Sequence, residues 1–136
     1  MYGTLDISVS GMVAQRIRMD TIATNLANRD TILDAAGNTN PFQRRIAVFQ
    51  PGQPDGSPGV HVSDITIENS EPRKVYEPDN PYAQTEGPDA GYVYYPNIDP
   101  VTENVSAIEA VRSYEANVAA AEATKTMIAQ ALRLLA

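Results

Sequence analysis

Side chains able to make or break bonds are sparse in this chain, and their spacing limits what they could do. The single histidine, His61, lies in an alternating segment between Val60 and Val62, with no second histidine and no cysteine anywhere. One imidazole alone is neither a metal site nor an acid–base pair. Asp64 follows three residues later, but no Gly-x-Ser-x-Gly elbow supplies a nucleophile. Phosphate-cradling glycine loops of the dinucleotide or P-loop type do not occur. Glu68, Glu71, Glu86 and Asp89 have the chemistry of a glycosidase pair, yet they stand in polar, proline-bearing sequence that reads as solvated surface. Tyr92, Tyr94 and Tyr95 could stack on a sugar or base, but packing a small β core accounts for them better. Arg44-Arg45 reads as the outer face of a strand or a subunit contact. No catalytic residue, cofactor or metal is expected.

The elements that would position any site are more informative. Residues 101–136 contain no Gly and no Pro. Ala107, Val111, Tyr114, Val118, Ala121, Lys125, Ile128, Leu132 and Leu135 recur at alternating fours and threes, the stripe of an α-helix. Such a helix is roughly 50 Å long, more than a domain of this size can bury alone. Residues 4–28 predict a second helix, with Leu5, Val9, Met12, Arg16, Met19, Ala23 and Leu26 in the same spacing and Thr4 as its N-cap. Asp6 is expected in the first turn, where the helix dipole favours an anion. Gly11 weakens that helix by roughly 1 kcal/mol relative to Ala, so packing must hold it. Arg16 and Lys125 interrupt the stripes, either lifting their charges into water or pairing with acids on neighbouring helices. Asn25 and Asn28 share a face at the end of the first helix. They either bond another chain's backbone or, for Asn28, cap the helix in the left-handed region.

All ten prolines and five of the eight glycines fall between Pro41 and Pro100. Alternation predicts strands at 42–49 and at 60–67, the second bulged near Asp64 where the phase shifts. Shorter strands are expected at 73–76 and 92–95, with an exposed loop over 77–90. The expected fold is α+β: two long terminal helices in an antiparallel, coiled-coil-like pair, with a small β-rich insert between them. The corresponding division is 1–28 with 101–136 as the helical domain, 29–40 as a connector and 41–100 as the β-rich part.

Of the net charge of −7, the central part carries almost all. No basic patch exists to follow a phosphate backbone, so nucleic acid is not an expected partner. No apolar run is long enough to span a bilayer, and no cleavable signal pattern opens the chain.

Thr24-Asn25-Leu26-Ala27-Asn28 followed by Thr31 resembles the Asn-x-Ala-Asn-x-x-Thr motif of bacterial flagellar axial proteins. Leu5-Asp6-Ile7-Ser8, Gln15 to Asp20, Pro41 to Arg45 and Tyr76-Glu77-Pro78 are similar to segments of the proximal-rod members of that family. Gly91 to Asn97, Val101-Thr102-Glu103, Arg112 to Asn117, Ala123 to Met127 and Ala131-Leu132 follow in the same order. The resemblance implies a structural, non-enzymatic rod subunit of the basal body. It would be exported across the membrane by the flagellar type III apparatus without a cleaved signal and would sit in the periplasm. Other rod and axial proteins and copies of itself are the implied partners, with helical assembly transmitting motor torque. By position, Asn25, Leu26, Asn28, Arg112, Tyr114, Glu115 and Asn117 become candidate inter-subunit contacts. The apolar residues Leu5, Val9, Met12, Met19, Val111, Val118, Ile128 and Leu132 would carry the association energy. The competing readings are a self-contained coiled-coil adaptor and a small carbohydrate-binding or hydrolase domain.

Overall fold

The computed structural model describes residues 2–136. Helix α1 spans Tyr2–Ala27, and α2 spans Pro100–Leu135. Between them lie β1 (Arg45–Pro51), β2 (Val60–Ile67), β3 (Arg73–Tyr76) and β4 (Tyr92–Tyr95). Gly11 of α1 meets Asn117 of α2, Arg18 meets Ser106, and Asn25 meets Glu103. Rising numbers on one helix meet falling numbers on the other, so the pair is antiparallel, and the fold is the expected α+β.

The start of α1 differs from expectation. The helix begins at Tyr2, and Thr4 is already inside it, where its carbonyl accepts from Ser8 Oγ at 3.3 Å. Thr4 is therefore no N-cap, and the first turn holds no acid, which removes the dipole role given to Asp6. The start of α2 follows the sequence rules closely. Asp99 is extended, with φ −89° and ψ 113°, and its Oδ1 accepts from Val101 N at 3.1 Å. Its Oδ2 accepts from Thr102 Oγ1 at 2.7 Å, and Pro100 opens the helix, where a missing N–H costs nothing.

The insert forms two separate two-stranded antiparallel sheets. β1 pairs with β2 from Arg45↔Ile67 to Pro51↔Val60, and the register breaks between Val48↔Asp64 and Phe49↔Val62. Ser63 is thus the extra residue of a bulge, where the phase change near Asp64 placed it. β1 begins at Arg45 and not at 42, because Phe42 N donates back to Thr31 O at 3.0 Å and not to β2. This first hairpin lies against α1. Ser10 Oγ accepts from Val60 N at 3.1 Å, and a Cβ on Gly59 (φ +142°) would stand 2.5 Å from that same oxygen. Only glycine tolerates both the backbone angle and the approach. His61 is tied locally, with Nδ1 2.7 Å from the Gly52 carbonyl.

β3 and β4 pair from Arg73↔Tyr95 to Tyr76↔Tyr92 around the buried Val93. The tyrosines line this hairpin as expected. Tyr76 and Tyr92 meet edge to face at 5.2 Å, Tyr94 donates to Asp89 at 2.6 Å, and Tyr95 donates to Glu77 at 3.0 Å. The Tyr94 hydroxyl, then Lys74, holds the Asp89 carboxyl below its ordinary pKa.

Candidate assembly interface

The most buried positions of α1 and α2 are mostly small or polar. On α1 the buried positions are Ser8, Ser10, Gly11, Ala14, Thr21, Ile22 and Asn25; on α2 they are Glu103, Ala110, Ala121 and Thr124. A Cβ built on Gly11 would lie 2.8 Å from the Asn117 amide, so the packing that holds this glycine helical is direct contact with the opposite helix. Short side chains let the backbones approach closely, as the ridges-into-grooves picture requires.

Many of the large apolar side chains look outward. Ile7, Val9 and Val13 on α1 are exposed, as are Val101, Val105, Ile108, Val111, Met127, Leu132, Leu134 and Leu135 on α2. Of the stripes read from the sequence, Val9, Val111, Leu132 and Leu135 are exposed, whereas Ala121 is buried and Leu5, Met12, Met19, Leu26, Ala107, Tyr114, Val118 and Ile128 are half-buried. Beside these stripes runs a line of small residues, Gly11, Ala14, Ala110 and Thr124, that are buried. Lys125 and Arg16 are exposed and outside the contact between the helices. The cation that enters it is Arg18, whose Nη2 donates to Ser106 Oγ at 2.9 Å and to Glu109 Oε2 at 3.1 Å.

At the end of the pair adjoining the hairpin sits a buried polar cluster. Glu103 is 0% exposed and Asn25 1%. Asn25 Nδ2 donates to Arg45 O at 2.9 Å and to Glu103 Oε2 at 3.2 Å, while its Oδ1 accepts from Arg45 N at 2.9 Å. Arg44 Nε donates to Glu103 Oε1, and its Nη1 lies 3.5 Å from Glu68 Oε2. Burial alone would lower the Arg44 pKa, but the hydrogen bond and charge of Glu103 outweigh it, aided by Glu68, so the guanidinium is held above its ordinary value. Glu103 also stands in the first turn of α2, where the helix dipole favours an anion. The cluster thus joins α1, α2 and the lead-in to β1, and a cleft of about 320 Å³ opens beside it.

The candidate contact residues fall into three groups. Val9, Val111, Arg112, Glu115 and Leu132 are exposed. Leu5, Met12, Met19, Leu26, Tyr114, Val118 and Ile128 are half-buried at the margins of the helix pair. The three asparagines bond within the chain. Asn25 is closed in the buried cluster, so its amide bonds this chain's backbone and not another's. Asn28 Nδ2 donates to Thr24 O at 2.8 Å, and its Oδ1 accepts from Thr31 Oγ1 at 3.1 Å. Asn28 thus closes the helix end by its side chain and does not take a left-handed conformation. Asn117 Nδ2 donates to Ser113 O at 2.9 Å while its side chain covers Gly11. Each polar member of the Asn-x-Ala-Asn-x-x-Thr motif therefore has an internal partner.

Glu103, Arg18 and the role of Arg44 were not drawn from the sequence. The available signal was a seven-residue line of polar and small residues: Gly11, Arg18 and Asn25 on one helix, and Glu103, Ala110, Asn117 and Thr124 on the other.

Comparison with known proteins bears on the same two helices. Residues 5–32 match the family described as flagella basal body rod protein, and residues 89–134 match the flagellar basal body rod FlgEFG protein C-terminal family. The chain is similar to the flagellar basal-body rod protein FlgC of Bacillus subtilis, 38% identical over 98% of this chain and 97% of that one. It is 43% identical to the Aquifex aeolicus FlgC, over 92% of this chain and 90% of the relative. The Salmonella typhimurium FlgC is 40% identical over 98% and 97%. The chain belongs to the FlgC family of flagellar basal-body rod proteins. The two matched regions take in all of the buried positions on both helices, together with most of the outward apolar face.

Proposed function

We propose that this chain is a structural subunit of the flagellar basal-body rod and performs no bond chemistry. The observation that carries this reading is the orientation of the helix pair: the most buried positions are mostly small or polar, and many large apolar residues are left exposed. Exposed apolar faces of this extent mark surfaces that other chains cover. Its neighbours in this reading are other rod proteins and copies of itself. The terminal helices, 1–28 and 101–136, form the rod-core domain, 29–40 the connector, and 41–100 the part carried on the outside. The subunit reaches the periplasm through the flagellar type III apparatus without a cleaved signal.

A rod subunit must make many moderate contacts so that torque passes without slippage. Covering one outward Leu, Ile or Val stabilises by about 1.5–3 kcal/mol. Repeated around a closed lattice, such contacts make disassembly slow. Leu5, Val9, Met12, Met19, Leu26, Val111, Tyr114, Val118, Ile128 and Leu132 supply the apolar part of this interface, with Arg112 and Glu115 at its polar edge.

The absence of native cysteine allows a direct test. Val9→Cys is expressed in a flagellated strain lacking its own copy, and isolated basal bodies are treated with a photoactivated thiol linker. Linkage to rod proteins or to copies of the chain is the expected result. Basal bodies that are complete without this chain would overturn the reading. A self-contained adaptor or a carbohydrate-binding domain would leave the outward helix faces without a role.

A further inference from the structure

Two residues turn a helix through about 200°. Val9, Arg16 and Ala23 precede Gly11, Arg18 and Asn25 of the α2-facing side by two, and Arg112 and Ala119 follow Ala110 and Asn117 by two. Each set therefore lies on the far side of its own helix, and all of these residues are exposed. The helix pair thus carries one outer face on α1 and another on α2, on opposite sides.

Both outer faces hold charges that the chain leaves unpaired. Arg16 and Asp20 on α1, and Arg112 and Glu115 on α2, are exposed, and among the described residues none of them stands in an ion pair. On each helix the cation comes first and the anion follows about one turn later. Helices that meet antiparallel run these orders in opposite directions, so each cation can face an anion. Copies at equal height meet a conflict. With Gly11 against Asn117 and Asn25 against Glu103, Arg16 stands level with Arg112, and side-by-side copies would bring these two cations together. A shift of about one helical turn, roughly 5 Å, instead sets Arg16 against Glu115 and Asp20 against Arg112. The same shift sets Val9 beside Ala123, Met12 beside Ala119 and Ala23 beside Ile108, so a larger side chain meets a smaller one at each level.

We propose that the outer face of α1 docks on the outer face of α2 in a second copy of this chain, displaced by one helical turn, with Arg16 paired to Glu115 and Asp20 to Arg112. The two faces differ, so the contact is heterologous, and every copy keeps one face open for the next. The displacement makes a row of copies rise as a helix and not close as a flat ring. Exposed ion pairs add little affinity, but like charges set opposite one another reject an alignment, and that is the part these four residues play. This assignment deepens the rod reading and rests on it.

Charge exchange in a flagellated strain lacking its own copy tests the pairing. Arg16→Glu sets two acids together and should lower the amount of this chain in isolated basal bodies about tenfold, the scale of a like-charge contact across an interface. Glu115→Arg should do the same, and the two exchanges combined should restore the parent level. A second readout does not depend on that loss. A chain carrying Arg16→Cys and Glu115→Cys, treated in basal bodies with a short bis-maleimide, should yield linked copies, because the two positions lie on opposite sides of one helix pair and are not bridged within a chain. Single exchanges that leave incorporation unchanged, or a combined exchange no better than either alone, would overturn the pairing. So would an incorporated double-cysteine chain that gives no linked copies. Those failures leave the rod reading standing, whereas basal bodies that are complete without this chain would overturn that reading and the pairing with it.

Discussion

Ile108 and Ala110 stand two residues apart on α2 in opposite surroundings. Ala110 is 0% exposed against α1, and Ile108 is 54% exposed on the outside. With Ile22 as an exception, the most buried positions along both helices are small or polar, while Ile7, Val9, Val13, Val105, Val111 and Leu132 are exposed. A protein built to function alone would reverse this pattern, because burying Ile, Val and Leu is what stabilises an isolated core. The inward face brings the helices close and fixes their partners by specific hydrogen bonds. The outward face holds apolar area in reserve for other chains. The inward face thus sets shape, and the outward face sets association.

Substitutions can separate these roles. The largest expected effect is on the outward face. Ile108→Asp together with Leu132→Asp should abolish motility while leaving the helical content of the purified chain, read by circular dichroism, within error of the parent. A fall in helicity equal to the loss of motility would mean that this face also holds the single chain together. On the inward face, Glu103→Ala should destabilise the chain by about 1–3 kcal/mol in denaturant unfolding, since it takes one partner from the buried Asn25 and the nearer carboxylate from the half-buried Arg44. A change under about 1 kcal/mol, the worth of an exposed pair, would remove the cluster from the account. Gly11→Ala is a sharper test of close packing. Helix propensity alone favours alanine by roughly 1 kcal/mol, yet the Asn117 amide occupies the position of the added methyl. Net destabilisation of about 1–3 kcal/mol is expected, and stabilisation would show that the helices have room to spare.

The smallest effect is at the α2 cap. The Thr102 hydroxyl, then the Val101 N–H, holds the Asp99 carboxyl below its ordinary pKa. A carboxylate with a depressed folded pKa stabilises above its unfolded pKa and loses that contribution as pH falls through the folded one. Helicity near the start of α2 should therefore decline only below the ordinary carboxylate range, and Asp99→Ala should remove that acid-dependent step. Amide exchange at Glu103, whose N–H bonds the Asp99 carbonyl at 3.0 Å, would report both.

Much of this architecture is legible in the sequence because it is local. Heptad-like spacing and the clustering of prolines place both helices, the four strands and the bulge near Asp64. The α2 cap, in contrast, went unread although Asp99 directly precedes Pro100. Thr4 misled in the other direction, because a residue of capping type says nothing about whether the helix starts earlier. The orientation of the helices was the larger gap. Periodicity found stripes that join exposed Val111 and Leu132 to half-buried Val118 and buried Ala121, and it missed the line through Ala110 and Glu103. Glu103 was hidden for a different reason: its burial depends on Asn25 and Arg44, each more than fifty positions away in the chain. Local composition does not encode such a meeting. The asparagines were recognised as special by motif, and their partners came only with the fold.

The contrast between the faces can be read from two single-cysteine variants, Ile108→Cys and Ala110→Cys, labelled with a maleimide as purified chain and again in intact basal bodies. The thiol at position 108 should react readily in the free chain and become protected in the rod, whereas the thiol at position 110 should be protected in both. A thiol at position 108 that stays equally reactive in intact rods would contradict the assignment of the outward face to assembly.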